Sequence, residues 1–519
     1  MISPKRWLRA IFERIESRFD FIFTPACNPF YQLGSLGWFL YWIVVVSGIY
    51  VYLFFDTGVT QAFESLQRIT HEQWYAGGIM RSLHRYASDG LVVVVVVHLL
   101  REYALDRLRG RRWFAWVTGV PLLWFIYVCG ITGYWLVWDT LAQYVAIATS
   151  EWLDALPFFG EPIAANFASS STLSGRFFTL LVYMHIAIPL FMLFLMWVHI
   201  QRHAGAKTNP HRVLGIGTLV SLLALSIVSP AVSQAPANLD AVPATVNLDW
   251  FYLALYPLFD SIPGGTLWLI VLGSTAMLMA LPWLPPLRGR EAAVVDLENC
   301  NGCARCYFDC PFSAITMGAR TDGLPYEAQA IVNVSHCVSC GICAGACPTS
   351  TPFRRMSALS PGIQLANQTI ASLREQVLDE SRRLSGKPRV VLFCCEQSAA
   401  AETFAGPDVG VVTMPCVGML PPSFVDFVLS RDLAEGVFVS GCQETDCYYR
   451  FGGDWTRQRL AGTRDPYLRA RVPRERLAQC WERPSRHKRV AIEIEAFRER
   501  LVAADAAGPE NDVEPVDEA

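Results

Sequence analysis

Six apolar runs constrain this 519-residue chain more than any other feature. They lie near residues 36–55, 82–100, 113–138, 177–200, 213–232 and 265–285. Each is about the length a helix needs to cross a ~30 Å hydrocarbon core. No water is available there to satisfy the backbone, so an all-helical bundle is the expected form. The apolar excess sits in the first 290 residues and carries the whole chain to 52% hydrophobic. Loop charge alternates along the bundle. Residues 101–112 hold Arg101, Arg107, Arg109, Arg111 and Arg112, residues 201–212 hold Arg202, Lys207 and Arg212, and Arg288 and Arg290 follow the last run. The loops near 138–175 and 233–264 have no Lys or Arg but hold Asp139, Glu151, Asp154, Asp240 and Asp249. By the positive-inside rule both termini are cytoplasmic. Ahead of the bundle, Lys5, Arg6, Arg9, Arg14 and Arg18 interleave with Trp7, Leu8, Ile11, Phe12 and Ile15. That pattern makes 1–27 an amphipathic helix on the membrane surface, with no cleavable signal peptide. A net charge of −3 gives no reason to expect nucleic acid.

Four histidines inside the bundle share one period. His84 and His98 are 14 residues apart on the second run, and His185 and His199 are 14 apart on the fourth. Fourteen residues are almost four turns, so each pair lies on one face, ~21 Å apart along the axis. Two facing helices would thus bind one haem near each membrane surface, His84 with His185 at the outer side and His98 with His199 at the inner. No Cys-x-x-Cys-His occurs, so the haems would be non-covalent b-type. Gly34 and Gly48 on the first run, and Gly119 and Gly133 on the third, repeat the 14-residue spacing. Glycine lets a flat macrocycle approach the backbone; the alternative is close helix packing.

Arg81-Ser82-Leu83-His84-Arg85-Tyr86, Trp116-Val117-Thr118-Gly119-Val120 and Ile131-Thr132-Gly133-Tyr134-Trp135-Leu136-Val137-Trp138-Asp139 resemble cytochrome b of the quinol-oxidising bc complexes. The resemblance covers 28–285 and implies bis-histidine ligation by the four histidines. It also implies that Arg81, Arg85 and Arg101 meet haem propionates; the alternative is solvated helix-end arginines. It implies a homodimer. Departures exist. Val137 replaces a proline, and the outer quinol motif Pro-Glu-Trp-Tyr becomes Leu248-Asp249-Trp250-Phe251-Tyr252. Asp249 keeps a carboxylate that could take a quinol proton, with Trp250 and Tyr252 beside it; the alternative is a loop or capping aspartate. Gln32 stands where some relatives attach an extra haem through cysteine, so none is expected. Asp89, inside the second run, is either a proton relay or a residue paired within the bundle.

Most of the 16 cysteines lie between 300 and 447. Cys300-x2-Cys303-x2-Cys306-x3-Cys310-Pro311 and Cys337-x2-Cys340-x2-Cys343-x3-Cys347-Pro348 give one ligand run twice. This is the pattern of a two-cluster bacterial ferredoxin, in which the fourth cysteine of each run serves the other cluster. Residues 292–353 would form this α+β module. One [4Fe–4S] cluster would use Cys300, Cys303, Cys306 and Cys347, and the other Cys337, Cys340, Cys343 and Cys310. A zinc site needs neither the tripled short spacing nor the terminal proline. Such thiolates call for a reducing compartment, in agreement with the loop charges.

Residues 356–387 read as a linker with a helix from Ile370 to Leu384. Then come three strand-like segments that end in cysteine: Arg389–Phe393 before Cys394 and Cys395, Val409–Met414 before Cys416, and Gly436–Ser440 before Cys442, with Cys447 close behind. Sites in open α/β sheets gather beyond the carboxyl ends of parallel strands, so these thiols converge and suit a [2Fe–2S] cluster. Met414-Pro415-Cys416-Val417-Gly418 and Gly441-Cys442-Gln443-Glu444-Thr445-Asp446-Cys447-Tyr448-Tyr449 resemble the delta subunit of methyl-viologen-reducing hydrogenase over about 388–505. That family's opening Cys-x-x-Cys is absent, which leaves Cys394 and Cys395 as alternative ligands. The acidic stretch 506–519 reads as disordered.

These readings describe an electron wire on a bacterial cytoplasmic membrane: soluble partner, [2Fe–2S], two [4Fe–4S], inner haem, outer haem, quinone. No dinucleotide fingerprint or flavin site is seen, so substrate chemistry falls to a cytoplasmic flavin- and iron–sulfur-containing partner, whether heterodisulfide-reductase-like, hydrogenase or dehydrogenase. The competing expectations are a relay or anchor with no quinone site, and a redox-sensing or assembly factor.

Overall fold

The computed structural model describes residues 4–109, 112–158, 162–169, 172–201, 206–241, 245–249, 251–284, 291–355, 359–398 and 403–507. Trp250, Arg111, Arg202, Arg288 and Arg290, the start of the expected linker at 356–358 and the tail from 508 lie outside them. The described residues fall into two compact units, one up to Leu284 and one from Glu291.

The first unit is all helical: α1 (Pro4–Cys27), α2 (Leu33–Phe54), α3 (Gln61–Gln67), α4 (Ile79–Ala104), α5 (Trp113–Val137), α6 (Thr140–Asp154), α7 (Gly175–Ile200), α8 (Arg212–Val228) and α9 (Gly264–Ala280). α1 breaks at Thr24 (φ 63°), just before Pro25. Its acidic Glu16 and Asp20 are buried. Asp20 accepts from Asn28 Nδ2 at 2.8 Å and from the Tyr31 hydroxyl at 3.1 Å.

Among the described residues, five helical stretches are long and apolar enough to cross a bilayer: Pro29–Phe54, Trp74–Ala104, Trp113–Val137, Gly175–Ile200 and Gly264–Trp283. The fifth run, 213–232, forms a shorter helix than its sequence suggested. α8 has 17 residues and ends at Val228, because Ser229 precedes Pro230 and the proline ring disfavours helical backbone before it. One further helix stands in the loop after 138 that lacks Lys and Arg. α6 is capped by Asp139, whose carboxylate accepts from Ala142 N (2.9 Å) and Gln234 N (2.8 Å). Ala142, Val145 and Ala146 are fully buried in an aromatic-rich core with Trp138, Phe178 and Tyr256.

The second unit opens with two antiparallel ribbons. β1 (Ala293–Val295) pairs with β4 (Ile363–Leu365), and β2 (Ile315–Ala319) with β3 (Ala328–Val332). The short helices α10 (Arg305–Phe308) and α11 (Ile342–Ala346) lie between. The β1–β4 pair carries this module past residue 353. The spacer helix α12 (Ile370–Arg383), N-capped by Thr369, follows.

A four-stranded parallel sheet in the order β6–β5–β7–β8 ends the fold. Its strands are β5 (Val390–Cys395), β6 (Val409–Met414), β7 (Gly436–Gly441) and β8 (Leu477–Trp481). Every residue of β5 and β7 is buried, which is why both read as near-continuous apolar runs. Helices α13 (Ser423–Ser430), α14 (Gly452–Ala461) and α15 (His487–Ala507) complete it. α15 packs Val490, Ile494, Phe497 and Leu501 on one face of the sheet, and it carries helix to Ala507, into the stretch expected to be disordered.

Candidate functional site: histidine pairs and thiol pockets

In the helical unit, α2 packs on α4 and α5 on α7, and each glycine of the 14-residue set lies against one imidazole. A Cβ at Gly34 would stand 3.8 Å from His98 Cε1, at Gly48 2.8 Å from His84 Cε1, at Gly119 3.1 Å from His199 Cε1 and at Gly133 3.2 Å from His185 Cε1. The clearance therefore belongs to the imidazoles.

Each of three rings is also held through Nδ1. His84 Nδ1 lies 2.9 Å from the Val44 carbonyl, His185 Nδ1 3.0 Å from Thr132 Oγ1, and His199 Nδ1 3.1 Å from Thr118 Oγ1. An Nδ1 engaged in this way leaves Nε2 for a metal. The His84 and His185 ring centroids are 6.3 Å apart. Two in-line metal–nitrogen bonds of roughly 2.0–2.1 Å, plus two ring radii, give roughly the same span. The residues present fit a bis-imidazole haem.

The arginines have protein partners. Arg81 donates to Thr70 Oγ1 (2.5 Å) and Ser233 Oγ (2.7 Å). Arg101 Nε donates to the buried Glu16 carboxylate at 2.7 Å. Arg85 bridges Asp89 (3.1 Å) and Asp249 and lies 4.9 Å over the Tyr134 ring. Asp89 is thus paired within the bundle. Asp249 Oδ2 also accepts from the Tyr134 hydroxyl at 2.6 Å, while Oδ1 accepts from the backbone N–H of Phe251 (2.8 Å) and Tyr252 (3.0 Å). Tyr252 is buried. Its hydroxyl reaches the Ile126 and Tyr127 carbonyls at 2.9 and 3.0 Å, and its ring stacks on Tyr127.

In the second unit the eight ferredoxin-type cysteines line two pockets of four. Cys300, Cys303, Cys306 and Cys347 line one, and Cys310, Cys337, Cys340 and Cys343 the other. The fourth cysteine of each run has crossed to the other run's pocket. The loops repeat one geometry: the residues flanking the second cysteine, Gly302 and Ala304 or Ser339 and Gly341, all have φ between 57° and 78°. Left-handed backbone at non-glycine Ala304 and Ser339 is uncommon and marks a locally imposed turn. Backbone N–H groups point at sulfur from Ala314 to Cys310 (3.2 Å) and from Ala293 to Cys337 (3.4 Å). Burial pushes the Cys306 thiol up to about 12, so holding it as thiolate needs positive charge in the pocket. Bound iron would supply that charge.

The pleat separates Cys394 from Cys395. Cys394 faces the α15 side with Leu392 and Cys480. Cys395 faces the other side, with its sulfur 3.7 Å from Cys442. Hydrogen bonds from Cys416 and Cys442 draw the Cys395 and Cys447 thiols well below their ordinary value. Two thiolates on one tetrahedral metal, with bonds of about 2.3 Å, stand ~3.7 Å apart. The set Cys395, Cys416, Cys442 and Cys447 therefore fits an iron–sulfur centre, and Cys394 does not join it.

Comparison with known proteins finds three regions in the same order. Family models match residues 18–203 (Cytochrome b/b6/petB), 292–374 (4Fe-4S dicluster domain) and 390–504 (Methyl-viologen-reducing hydrogenase, delta subunit). The chain is cytochrome b-like, dicluster-ferredoxin-like and delta-subunit-like in turn. Cytochrome b of Rhodospirillum rubrum is 23% identical over 337 residues, covering 56% of this chain and 82% of the relative. A solved chain titled "Hyperthermophilic respiratory Complex III" aligns with a TM-score of 0.41 at 18% identity, over 53% of this chain and 82% of its own. The family matches support a multi-pass membrane electron-transfer subunit that carries haem b and iron–sulfur clusters.

Sequence reasoning missed the second layer of the cytochrome b-like region. Thr118 and Thr132 precede Gly119 and Gly133, and Ser47, 3.3 Å from His84 Nδ1, precedes Gly48. A hydroxyl residue just before a periodic glycine was the available signal.

Proposed function

We propose that the chain is the quinone-reacting membrane subunit of a multi-subunit oxidoreductase on a bacterial cytoplasmic membrane, with its iron–sulfur domains and both termini cytoplasmic. A cytoplasmic flavin- and iron–sulfur-containing partner, heterodisulfide-reductase-like, hydrogenase or dehydrogenase, would exchange electrons with the delta-like domain. The observation that carries this reading is the coexistence in one chain of anchored, facing imidazoles and twelve thiols grouped four by four. Bound haem and iron–sulfur groups would supply one-electron chemistry at these places, as two b haems, two [4Fe–4S] and one [2Fe–2S].

The chain's own residues set the conditions. Val44, Thr118 and Thr132 orient the imidazoles through Nδ1. The glycines admit the rings. Cys395, Cys416, Cys442 and Cys447 hold the two-iron centre beyond the carboxyl ends of β5, β6 and β7. At the outer side, Arg85 and Tyr134 hold the Asp249 carboxylate, the group assigned to exchange a quinone proton. With the inside negative, an electron that moves from inner to outer side gains ~2.3 kcal/mol per 100 mV. Quinone reduction at an outer site should therefore slow when an uncoupler collapses the potential in sealed vesicles. Indifference to the uncoupler would reject the outer site.

One observation favours a second reading, a relay or anchor with no quinone site of its own. Asp249 already has partners on both oxygens, as a structural loop aspartate would. Asp249→Asn with unchanged quinone-dependent haem oxidation would select it.

A further inference from the structure

The four-thiol group of the delta-like domain meets the second ferredoxin-type pocket in one tight patch. Phe312, Cys340, Ile342, Cys416 and Tyr449 form one buried patch, with Cys310, Val338, Tyr448 and Trp455 packed against it. Cys416 belongs to the four-thiol group, and Tyr448 and Tyr449 directly follow its Cys447. Cys310 and Cys340 belong to the second pocket. Cys300, Cys303, Cys306 and Cys347 are absent from this patch, although Cys300, Cys306 and Cys347 share the larger apolar core with Cys395 and Cys442. On the first pocket, Cys303 is exposed.

The approach is close at backbone level. α11, which carries Cys343, lies on the helical turn Val417–Met419 that follows Cys416. A Cβ at Gly418 would stand 2.8 Å from Ile342 Cγ1, and a Cβ at Gly345 would strike the Gly418 carbonyl oxygen. Arg459 of α14 closes the seam. Its side chain is fully buried. Nη1 donates to the Gly418 carbonyl at 2.9 Å, and Nη2 pairs with Asp309, the residue before Cys310. Arg464 Nε reaches the same carboxylate at 3.1 Å. A guanidinium taken wholly out of water is expensive unless paired. Here it ties the turn after one thiol group to the residue before a thiol of another.

We infer that electrons pass between the Cys395/Cys416/Cys442/Cys447 centre and the Cys310/Cys337/Cys340/Cys343 centre, with the Cys300/Cys303/Cys306/Cys347 centre as the next station, and that Arg459 is the positioning residue of the first junction. The step moves one electron: the donor centre is oxidised by one unit, the acceptor reduced by one, and no bond or proton changes place. The inference rests on the reading that these thiols hold clusters.

The test uses the full-length protein reduced stepwise with dithionite and followed by electron paramagnetic resonance, after iron and sulfide analysis. In the wild type, one of the two four-iron signals should split or broaden as the two-iron signal appears, and the other should not. Cys340→Ala should abolish that splitting, and Cys303→Ala should keep it. Arg459→Gln removes a buried positive charge, so it should lower the midpoint potential of the interacting four-iron centre and leave the other unchanged, with Arg459→Lys restoring most of the shift. Equal broadening of both four-iron signals, no broadening of either, or splitting that survives Cys340→Ala and vanishes in Cys303→Ala would overturn the assignment while the clusters stand. A protein without iron in the delta-like domain would sink the cluster reading as well.

Discussion

The helical unit and the iron–sulfur unit bury their apolar residues in different ways. In α9, Leu267 is the one buried residue, and Leu269 is 75% exposed. In β5 all six residues are buried, five of them with no exposed surface at all. The first unit leaves apolar surface for lipid, and its candidate ligands stand across helix pairs, each beside a glycine and three of the four pinned by a hydrogen bond. The second makes its own interior, and its thiols already gather in fours. An apolar run therefore meant solvent contact in one unit and core in the other.

The sharpest break in that contrast comes from the ligands. His185→Ala should remove one haem and lower b-haem per protein by roughly half, measured as the pyridine haemochrome of purified protein. Retention of the full content would break the pairing. Cys395→Ala should abolish the two-iron signal of the delta-like domain, whereas Cys394→Ala should keep it, because Cys394 lies on the opposite face of the sheet. If both variants lose the signal, the face assignment fails.

Packing gives the next largest effect. Phe497→Ala deletes a ring that is 1% exposed beneath the sheet and should cost about 3–5 kcal/mol. Leu269→Ala on the lipid-facing side of α9 should stay within about 0.5 kcal/mol. Thermal unfolding of each unit's spectroscopic signal separates them. Gly48→Ala brings a methyl group against His84 and should cost about 1–3 kcal/mol, with a displaced potential for the outer haem. Gly273→Ala, which meets nothing within 4 Å, should leave both unchanged.

The smallest effect is electrostatic. Burial alone would raise the Glu435 carboxyl, but hydrogen bonds from the Arg389 side chain and backbone bring it below its ordinary value of 4.5. A depressed carboxyl contributes stability that is fully present above its unfolded value and is lost as pH falls through its folded value. The difference in urea midpoint between wild type and Glu435→Gln should therefore be largest near neutrality and vanish in acid.

Much of this was legible in the sequence because the chemistry repeats. The 14-residue histidine spacing and the doubled cysteine run each state a ligand set twice, and Val409–Met414 was readable as a strand to the residue. What escaped depended on three-dimensional neighbours. Arg101 meets Glu16 across 85 residues, a pairing that no local pattern contains. Tyr252 sits in a motif-like segment, yet its hydroxyl serves helix carbonyls. The choice between Cys394 and Cys395 needed the register of β5 against β7. α6 was missed because its loop lacked cations and was read for charge alone. α8 stops short of its apolar run because hydropathy does not register Pro230.

The crossing of the fourth cysteines also governs assembly. Each cage takes one sulfur from the other run, so the second cannot close until residue 343 has left the ribosome, nor the first until residue 347. A chain that stops before Cys337 would hold no complete cage, not one of two. Cofactor insertion would accordingly come late for both, and damage to either run would reach both centres.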